Sequence, residues 1–402
     1  MNWDDTPEQA AFREEVRSFI EERLPAAYRS HEHGAGMLSW YRHRKSENGA
    51  LRGAAQEWAS ALSERGWVAP HWPKEYGGAG LTSWEQFIFN EEMAKGRAPM
   101  IGGSGVVMLG PTLIVHGSEE QKRKYLPRIL SGEVAWAQGY SEPGAGSDLA
   151  SLQTRAVRDG DEYVINGQKI WTSSAHFADA LFALVRTDPD APKHRGISFV
   201  LIEDIKTPGL TVRPLIDAAW GHEVNETFFE DVRIPGENVV GEVNRGWYVG
   251  MTLLDFERSG ISDAVGQRRE FRELLAAARG DARSSLGRSP ALRGRLTDRA
   301  IAIEVAYNFS LRVASIQAAG MVPNYEASVA KMFSSEQGQE LHRVGVRTFG
   351  LFGQVWPGDG AAPLGGAHIE GYIRSIPSTI GGGSSEVQRN IIATRGLGLP
   401  RG

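Results

Sequence analysis

The chain has 402 residues, enough for two or three domains around a sizeable core. At 41% hydrophobic and 23% charged residues it lies near globular averages, which excludes wholesale disorder. A formal charge of −5 gives no electrostatic reason to expect nucleic acid or an anionic membrane as partner, and the lack of cysteine excludes disulfides, thiolate nucleophiles and thiolate metal sites.

The opening stretch is acid-rich and has no basic segment followed by an apolar core. No apolar run reaches about 18 residues, so a cytoplasmic chain without a transmembrane helix is expected. Thr6-Pro7-Glu8-Gln9 offers an N-cap, a proline at N1 and a glutamine at N3. Phe12, Val16, Phe19 and Ile20 then follow at helical spacing. Residues from His31 to Asn48 are polar and glycine-bearing, which predicts a loop. Prolines and glycines break the helical pattern between Gly66 and Gly78, and helices resume over Glu85–Ala94 and Pro111–His116. Ser118 and Gln121 cap a further helix carrying Tyr125, Leu126 and Ile129.

From Glu133 to Val243 strands dominate. Glu142-Pro143-Gly144-Ala145-Gly146-Ser147-Asp148 is a glycine-punctuated loop whose small residues let backbone N–H groups approach a ligand. Asp159-Gly160 and Asn166-Gly167 both read as hairpin turns between β-forming runs such as Tyr163-Val164-Ile165 and Ile170-Trp171-Thr172. Short β-rich runs follow at Phe182–Arg186, Ile197–Ile202, Leu210–Leu215 and Thr227–Ile234. Helices return after Trp247, with Arg299–Ala319 and Tyr325–Phe349 long and amphipathic. The order predicts an α+β chain in three parts, 1–132 helical, 133–244 β and 245–402 helical. A loop of backbone donors feeding a small sheet, with a tryptophan and hydroxyls at its end, suggests a flat, polar-rimmed cofactor.

Four stretches, YSEPGAGSD, NGQKIWTS, NETFFEDVRIPGENVVGEVNRGW and TIGGGSSEVQRNIIATRGLGLP, stand in family order over nearly the whole chain. Together they resemble the acyl-CoA dehydrogenase family of flavoproteins. The resemblance implies a barrel-like or orthogonal middle sheet between two helical parts, FAD as cofactor and no metal. It implies that an acyl-CoA thioester is oxidised to the trans-2-enoyl-CoA, with the β-hydrogen passing as hydride to flavin N5 and the electrons onward to an electron-transfer flavoprotein. By the same resemblance Gln138, Tyr140 and Ser141 line the flavin, chiefly through backbone groups and the Ser141 hydroxyl. Trp171, Thr172 and Ser173 pack from the other side, and Ser384, Ser385 and Glu386 of the C-terminal motif also contact the cofactor. Ser147, Asp255, Arg258, Gly382 and Gly383 meet the coenzyme A thioester.

The reaction needs a carboxylate within reach of the α-proton. Many members carry it in the C-terminal loop, where this chain has Gly382. Others, including isovaleryl-type enzymes and bacterial enzymes for bulky acyl chains, carry it just before the arginine of the helix after the β part. Here that position is Glu257. On a helix starting near Gly246, Glu257 falls among Trp247, Leu254, Ile261 and Val265, an apolar stripe that would raise its pKa. The triple glycine Gly381–Gly383 suggests a widened acyl cavity.

Family homotetramers complete each flavin site with a neighbouring subunit's Arg-x-x-Phe-Gly and Gln-x-x-Gly-Gly stretches. The corresponding regions, Leu286–Arg293 and Arg347–Gly353, lack that pattern. This resembles the large subunits of bacterial two-chain enzymes such as pimeloyl-CoA and steroid side-chain dehydrogenases, as does the HWPKEYGG segment. A homo-oligomer, or an α2β2 assembly with a second acyl-CoA dehydrogenase-like chain, is therefore expected. Two alternatives stand beside this reading: an oxidase or monooxygenase offshoot reacting with O2, and a non-catalytic subunit that scaffolds an active partner.

Overall fold

The computed structural model describes residues 4–29, 37–252 and 260–400. The chain forms two compact units. One comprises Met1–Glu14, Ser83–Lys95 and Arg258–Gly402, the other Glu15–Thr82 and Gly96–Glu257. The chain's leading helices are α1 (Pro7–Arg23), α2 (Ala26–Arg29), α3 (Met37–Arg44), α4 (Gly49–Ser63), α5 (Ser83–Lys95), α6 (Gly110–His116) and α7 (Glu119–Leu130). Both expected capping boxes form. Thr6 and Gln9 exchange side-chain-to-backbone bonds of 2.9 and 3.3 Å at α1, and Ser118 and Gln121 do so at 3.0 and 3.2 Å at α7.

Helix α3 lies where a loop is expected. Tertiary anchors override its polar composition: Trp40 and Tyr41 are buried, the Tyr41 hydroxyl donates to the Trp136 carbonyl at 2.6 Å, and Arg44 reaches Asp179 at 2.8 Å.

The strands are β1 (Trp136–Gly139), β2 (Arg155–Asp159), β3 (Glu162–Lys169), β4 (Ala180–Arg186), β5 (Ile197–Ile202), β6 (Leu210–Leu215), β7 (Val224–Pro235) and β8 (Val239–Val240). They make one mixed sheet in the order β6-β7-β3-β2-β4-β5-β8, with β1 parallel to β4. The middle part is thus an open sheet, with β6 and β8 at its ends, rather than a closed barrel. Along β3, Tyr163 and Ile165 alternate inward and join Phe229, Val232 and Ile234 of β7 in the core, whereas β4 and β5 are buried along their whole length.

Asp159-Gly160 makes the expected hairpin, with Gly160 at φ 63°. Asn166-Gly167 does not turn. It continues β3 opposite a bulge in β7, where Asp231 adopts φ 54° and exchanges two 2.9 Å bonds with the Asn166 amide. Gly167 is needed for close approach rather than for a turn: a Cβ there would lie 2.7 Å from the Thr154 Cα.

The chain then enters α8 (Gly246–Thr252). Gly260, at φ 62°, precedes α9 (Ile261–Gly280). The single helix expected from Gly246 through Val265 is therefore interrupted, because a left-handed residue cannot continue a right-handed helix, and Trp247 lies on a different helix from Ile261 and Val265.

In the unit that contains α9, this helix packs with α10 (Pro290–Ala318) and α11 (Tyr325–Thr348) through Leu274, Leu292, Leu296, Ile303, Leu341 and Val344. Phe87 of α5 joins Ile261, Val265 and Leu311. Helices α12 (Ala367–Ser375) and α13 (Ser385–Ile391) complete it.

Candidate functional site

Within the sheet-bearing unit, β1 delivers Gln138 and then Tyr140 and Ser141 to the start of the glycine loop. Gln138 stays paired to Phe182 of β4 through its backbone. The Tyr140 side chain turns into the core, edge-on to the stacked rings of Phe182 and Phe199 at 6.1 and 6.4 Å. Burial pushes its phenol well above the ordinary range. Ser141 is half-buried, and its hydroxyl has no partner among the described residues.

The loop is fixed from below by a buried ion pair. Lys169, at the end of β3, is fully buried, and its ammonium donates to the Tyr140 carbonyl at 3.0 Å and to Glu142 at 2.8 Å. The Glu142 carboxylate, 8% exposed, also accepts from the successive backbone N–H groups of Gln153 at 2.6 Å and Thr154 at 2.8 Å. Burial alone would raise the Glu142 pKa; Lys169 and these hydrogen bonds outweigh it and hold the group below the usual carboxylate range. Burial pulls Lys169 down to about 8 against the attraction of Glu142. A short turn, with Glu142 and Ala145 exchanging two 3.0 Å backbone bonds, closes the loop.

Beyond Lys169 the Ile170 N–H donates to the Ser141 carbonyl at 2.9 Å, so the segment carrying Trp171, Thr172 and Ser173 is tied to the loop carrying Tyr140 and Ser141. Thr172 is buried and doubly bonded to Asn225 of β7, at 3.0 and 3.1 Å through the backbones, with the Asn225 amide adding a 2.9 Å bond to the Thr172 carbonyl. Behind it His176 stacks on His222 at 3.7 Å. Burial, then the neighbouring His222, keeps His176 neutral with a pKa of about 4. Trp171 itself stands at φ 62° and is 60% exposed. A large aromatic held in a costly backbone conformation, with its ring unburied, is suited to stacking on a flat ligand.

Ser147 lies farther along the loop, exposed and without a side-chain partner among the described residues. Its neighbour Asp148 is held by Lys193 at 2.9 Å.

In the other unit Gly382 and Gly383 take φ 65° and 89°. Lys331 donates to the Gly383 carbonyl at 2.7 Å, and the Gln388 amide reaches both glycine carbonyls at 3.1 and 3.3 Å. A Cβ built on Gly382 would meet nothing within 4 Å. Ser384 caps α13 by accepting from the Val387 N–H at 3.3 Å. The Ser385 hydroxyl is buried with no hydrogen-bond partner among the described residues, while Glu386 is exposed. Orphaned buried hydroxyls are uncommon and point to an absent partner. Glu257, Asp255 and Arg258 lie outside the described residues.

The residues brought together on one unit are thus Gln138, Tyr140, Ser141, Trp171, Thr172 and Ser173. Sequence reasoning missed the pair that holds them, Glu142 and Lys169. The signal was present: Lys169 is in phase with Tyr163 and Ile165 on the inward face of β3.

The chain matches the family descriptions Acyl-CoA dehydrogenase, N-terminal domain over residues 6–133, middle domain over 137–232 and C-terminal domain over 244–397. It is 38% identical over 347 residues to acyl-CoA dehydrogenase IpdE1 of Mycobacterium tuberculosis, covering 86% of this chain and 88% of that one. Among solved structures it is similar to the Tcur3481-Tcur3483 steroid ACAD (TM-score 0.85, 35% identity) and to the ChsE4-ChsE5 complex from Mycobacterium tuberculosis (TM-score 0.84, 35% identity), each over 100% of both chains. No helix among the described residues is long and apolar enough to cross a membrane. The chain belongs to the acyl-CoA dehydrogenase family, a family of FAD-dependent oxidoreductases.

Proposed function

We propose that this chain binds FAD and dehydrogenates an acyl-CoA thioester at its α,β-bond, with Glu257 as the base. The observation that carries the reading is the coupling of an exposed, left-handed Trp171 to the loop at Tyr140 and Ser141, which Lys169 and Glu142 pin from beneath. The Ser141 hydroxyl and the loop's backbone donors suit the polar rim of an isoalloxazine, and Trp171 suits its face. FAD, when bound, supplies the acceptor for the two electrons that leave with the β-hydrogen.

The chain's own part is acid–base and positional. The Glu257 carboxylate takes the α-proton. Ser147, Asp255 and Arg258 hold the coenzyme A arm, with Arg258 offering a fork of donors to its phosphate or carbonyl groups. Gly382 presents no carboxylate and leaves open space, which favours a bulky acyl group; the similarity to a steroid dehydrogenase supports that class. Electrons pass to an electron-transfer flavoprotein. Assembly with a second, dissimilar dehydrogenase-like chain is supported by the likeness to the ChsE4-ChsE5 complex, and the chain functions in the cytoplasm in the three-part division 1–132, 133–244 and 245–402.

Glu257→Gln tests the centre of this reading. A general base contributes about 10²–10⁴-fold, so turnover with a panel from butyryl- to steroid-type acyl-CoA falls by that factor while the flavin spectrum is unchanged. Retained turnover removes Glu257 from the mechanism.

A further inference from the structure

We propose that Asn225 is a positioning residue: its side-chain amide locks the Thr172–Ser173 peptide so that the Ser173 N–H is aimed outward, at the ligand face beside Trp171. The proposal rests on the reading above that Trp171, Thr172 and Ser173 meet the flavin. Asn225 lies on β7 and is fully buried, although asparagine is a poor strand former whose polar amide is costly to bury. A valine would suit the strand better unless the amide is used.

Every polar atom of that amide is occupied. Its nitrogen donates one hydrogen to the Thr172 carbonyl at 2.9 Å and the other to His176 Nδ1 at 3.0 Å. Its oxygen accepts from His222 Nε2 at 2.8 Å. A backbone carbonyl can only accept, so turning the amide over would set two oxygens against each other, and the orientation is fixed. Hence His222 carries a proton on Nε2, and His176 presents a bare Nδ1. The two imidazoles stack at 3.7 Å, so each also holds the other in place.

The consequence falls on the peptide. The Thr172 carbonyl takes a second bond, from the Asn225 N–H at 3.1 Å, so two donors of one residue fix its direction. The Thr172–Ser173 peptide is planar and trans, and its N–H therefore points the opposite way, away from Asn225. Ser173 is exposed, and its N–H has no acceptor among the described residues. A backbone donor held in this way, next to the exposed Trp171, is preorganised for an oxygen or nitrogen on a ligand's rim.

The test uses the full-length protein, flavin-free and reloaded with FAD. In nitrogen NMR spectra of the flavin-free protein, His222 should show a protonated Nε2 and His176 an unprotonated Nδ1; a proton on His176 Nδ1 overturns the proposal. Asn225→Asp keeps the shape but cannot donate. It should weaken FAD binding about tenfold, as for one buried group left unpaired, and shift the absorption band of the flavin that still binds. His222→Phe keeps the ring without the donor and should weaken binding about fivefold, whereas His222→Gln, whose amide restores the donor, should bind like the wild type. Unchanged affinity and spectrum in Asn225→Asp and His222→Phe, or a lower unfolding midpoint with an unshifted flavin band, makes Asn225 merely structural and overturns the proposal. Where the wild type itself takes up no FAD, the flavin reading fails separately, and exchange of the Thr172 N–H decides the inference. That exchange should be faster in His222→Phe and restored in His222→Gln; equal exchange in all three proteins overturns it.

Discussion

Lys169 and Arg347 are both cations at the end of a regular element, and the structure treats them in opposite ways. Lys169 is sealed from water and donates to a carbonyl and a carboxylate, and that carboxylate is itself saturated by two peptide N–H groups. Arg347 is exposed, and its guanidinium has no partner among the described residues. The lesson is about what a charge is for. A buried charge whose neighbours are all satisfied fixes backbone, here the loop that presents Tyr140 and Ser141; a charge with idle donors is free to bind something else.

The largest effect expected from breaking this contrast comes from Lys169→Met. It leaves Glu142 ionised and buried without its counter-charge, a change that costs about 3–5 kcal/mol. Chemical denaturation should show that loss, together with poor flavin retention, because the Tyr140 carbonyl loses its tether. The double variant Lys169→Met/Glu142→Gln should recover part of the stability, since no unpaired charge remains. A loss below about 1 kcal/mol in the single variant would mean that Lys169 is not the pin described here.

Trp171 stands between the two extremes, ordered by strain rather than by charge. A left-handed conformation costs an ordinary residue roughly 1–2 kcal/mol, while glycine adopts it freely at the expense of about 0.5–1 kcal/mol of extra unfolded-state entropy. Because the ring is 60% exposed, little burial is lost in Trp171→Gly. The flavin-free protein should therefore gain up to about 1 kcal/mol in denaturant unfolding, while flavin affinity falls. Destabilisation instead would show that the indole is a core residue.

Much of this architecture was legible in the sequence because local rules agree with the fold. Thr6/Gln9 and Ser118/Gln121 cap their helices by spacing alone, and Ile197–Ile202 and Leu210–Leu215 are strands bounded by turn residues. Asn166-Gly167 misled because its turn chemistry is used across strands, to hold the Asp231 bulge, which no local pattern reveals. Met37–Arg44 misled for the same kind of reason: its helix is held by distant partners, Trp136 and Asp179. The proposed flavin-loop residues came from the family motif alone; that the Tyr140 ring would turn into the core, against Phe182 and Phe199 of β4 and β5, was not legible in it. The Asn225 lock was invisible because it requires knowing that His176 and His222, far apart in sequence, meet on one amide.

The smallest effect, and the sharpest edge of the comparison, belongs to Arg295→Gln. An exposed side chain without partners contributes within about ±0.5 kcal/mol to stability, so unfolding should be nearly unchanged. Its sign is set by Arg299 one turn away: removing one of two like charges at i and i+4 relieves about 0.2–0.5 kcal/mol of repulsion and should stabilise the protein slightly at low salt. The gain should vanish at high salt, where that repulsion is already screened. A clear loss of stability in Arg295→Gln would place this arginine with Lys169, as a charge built into the fold.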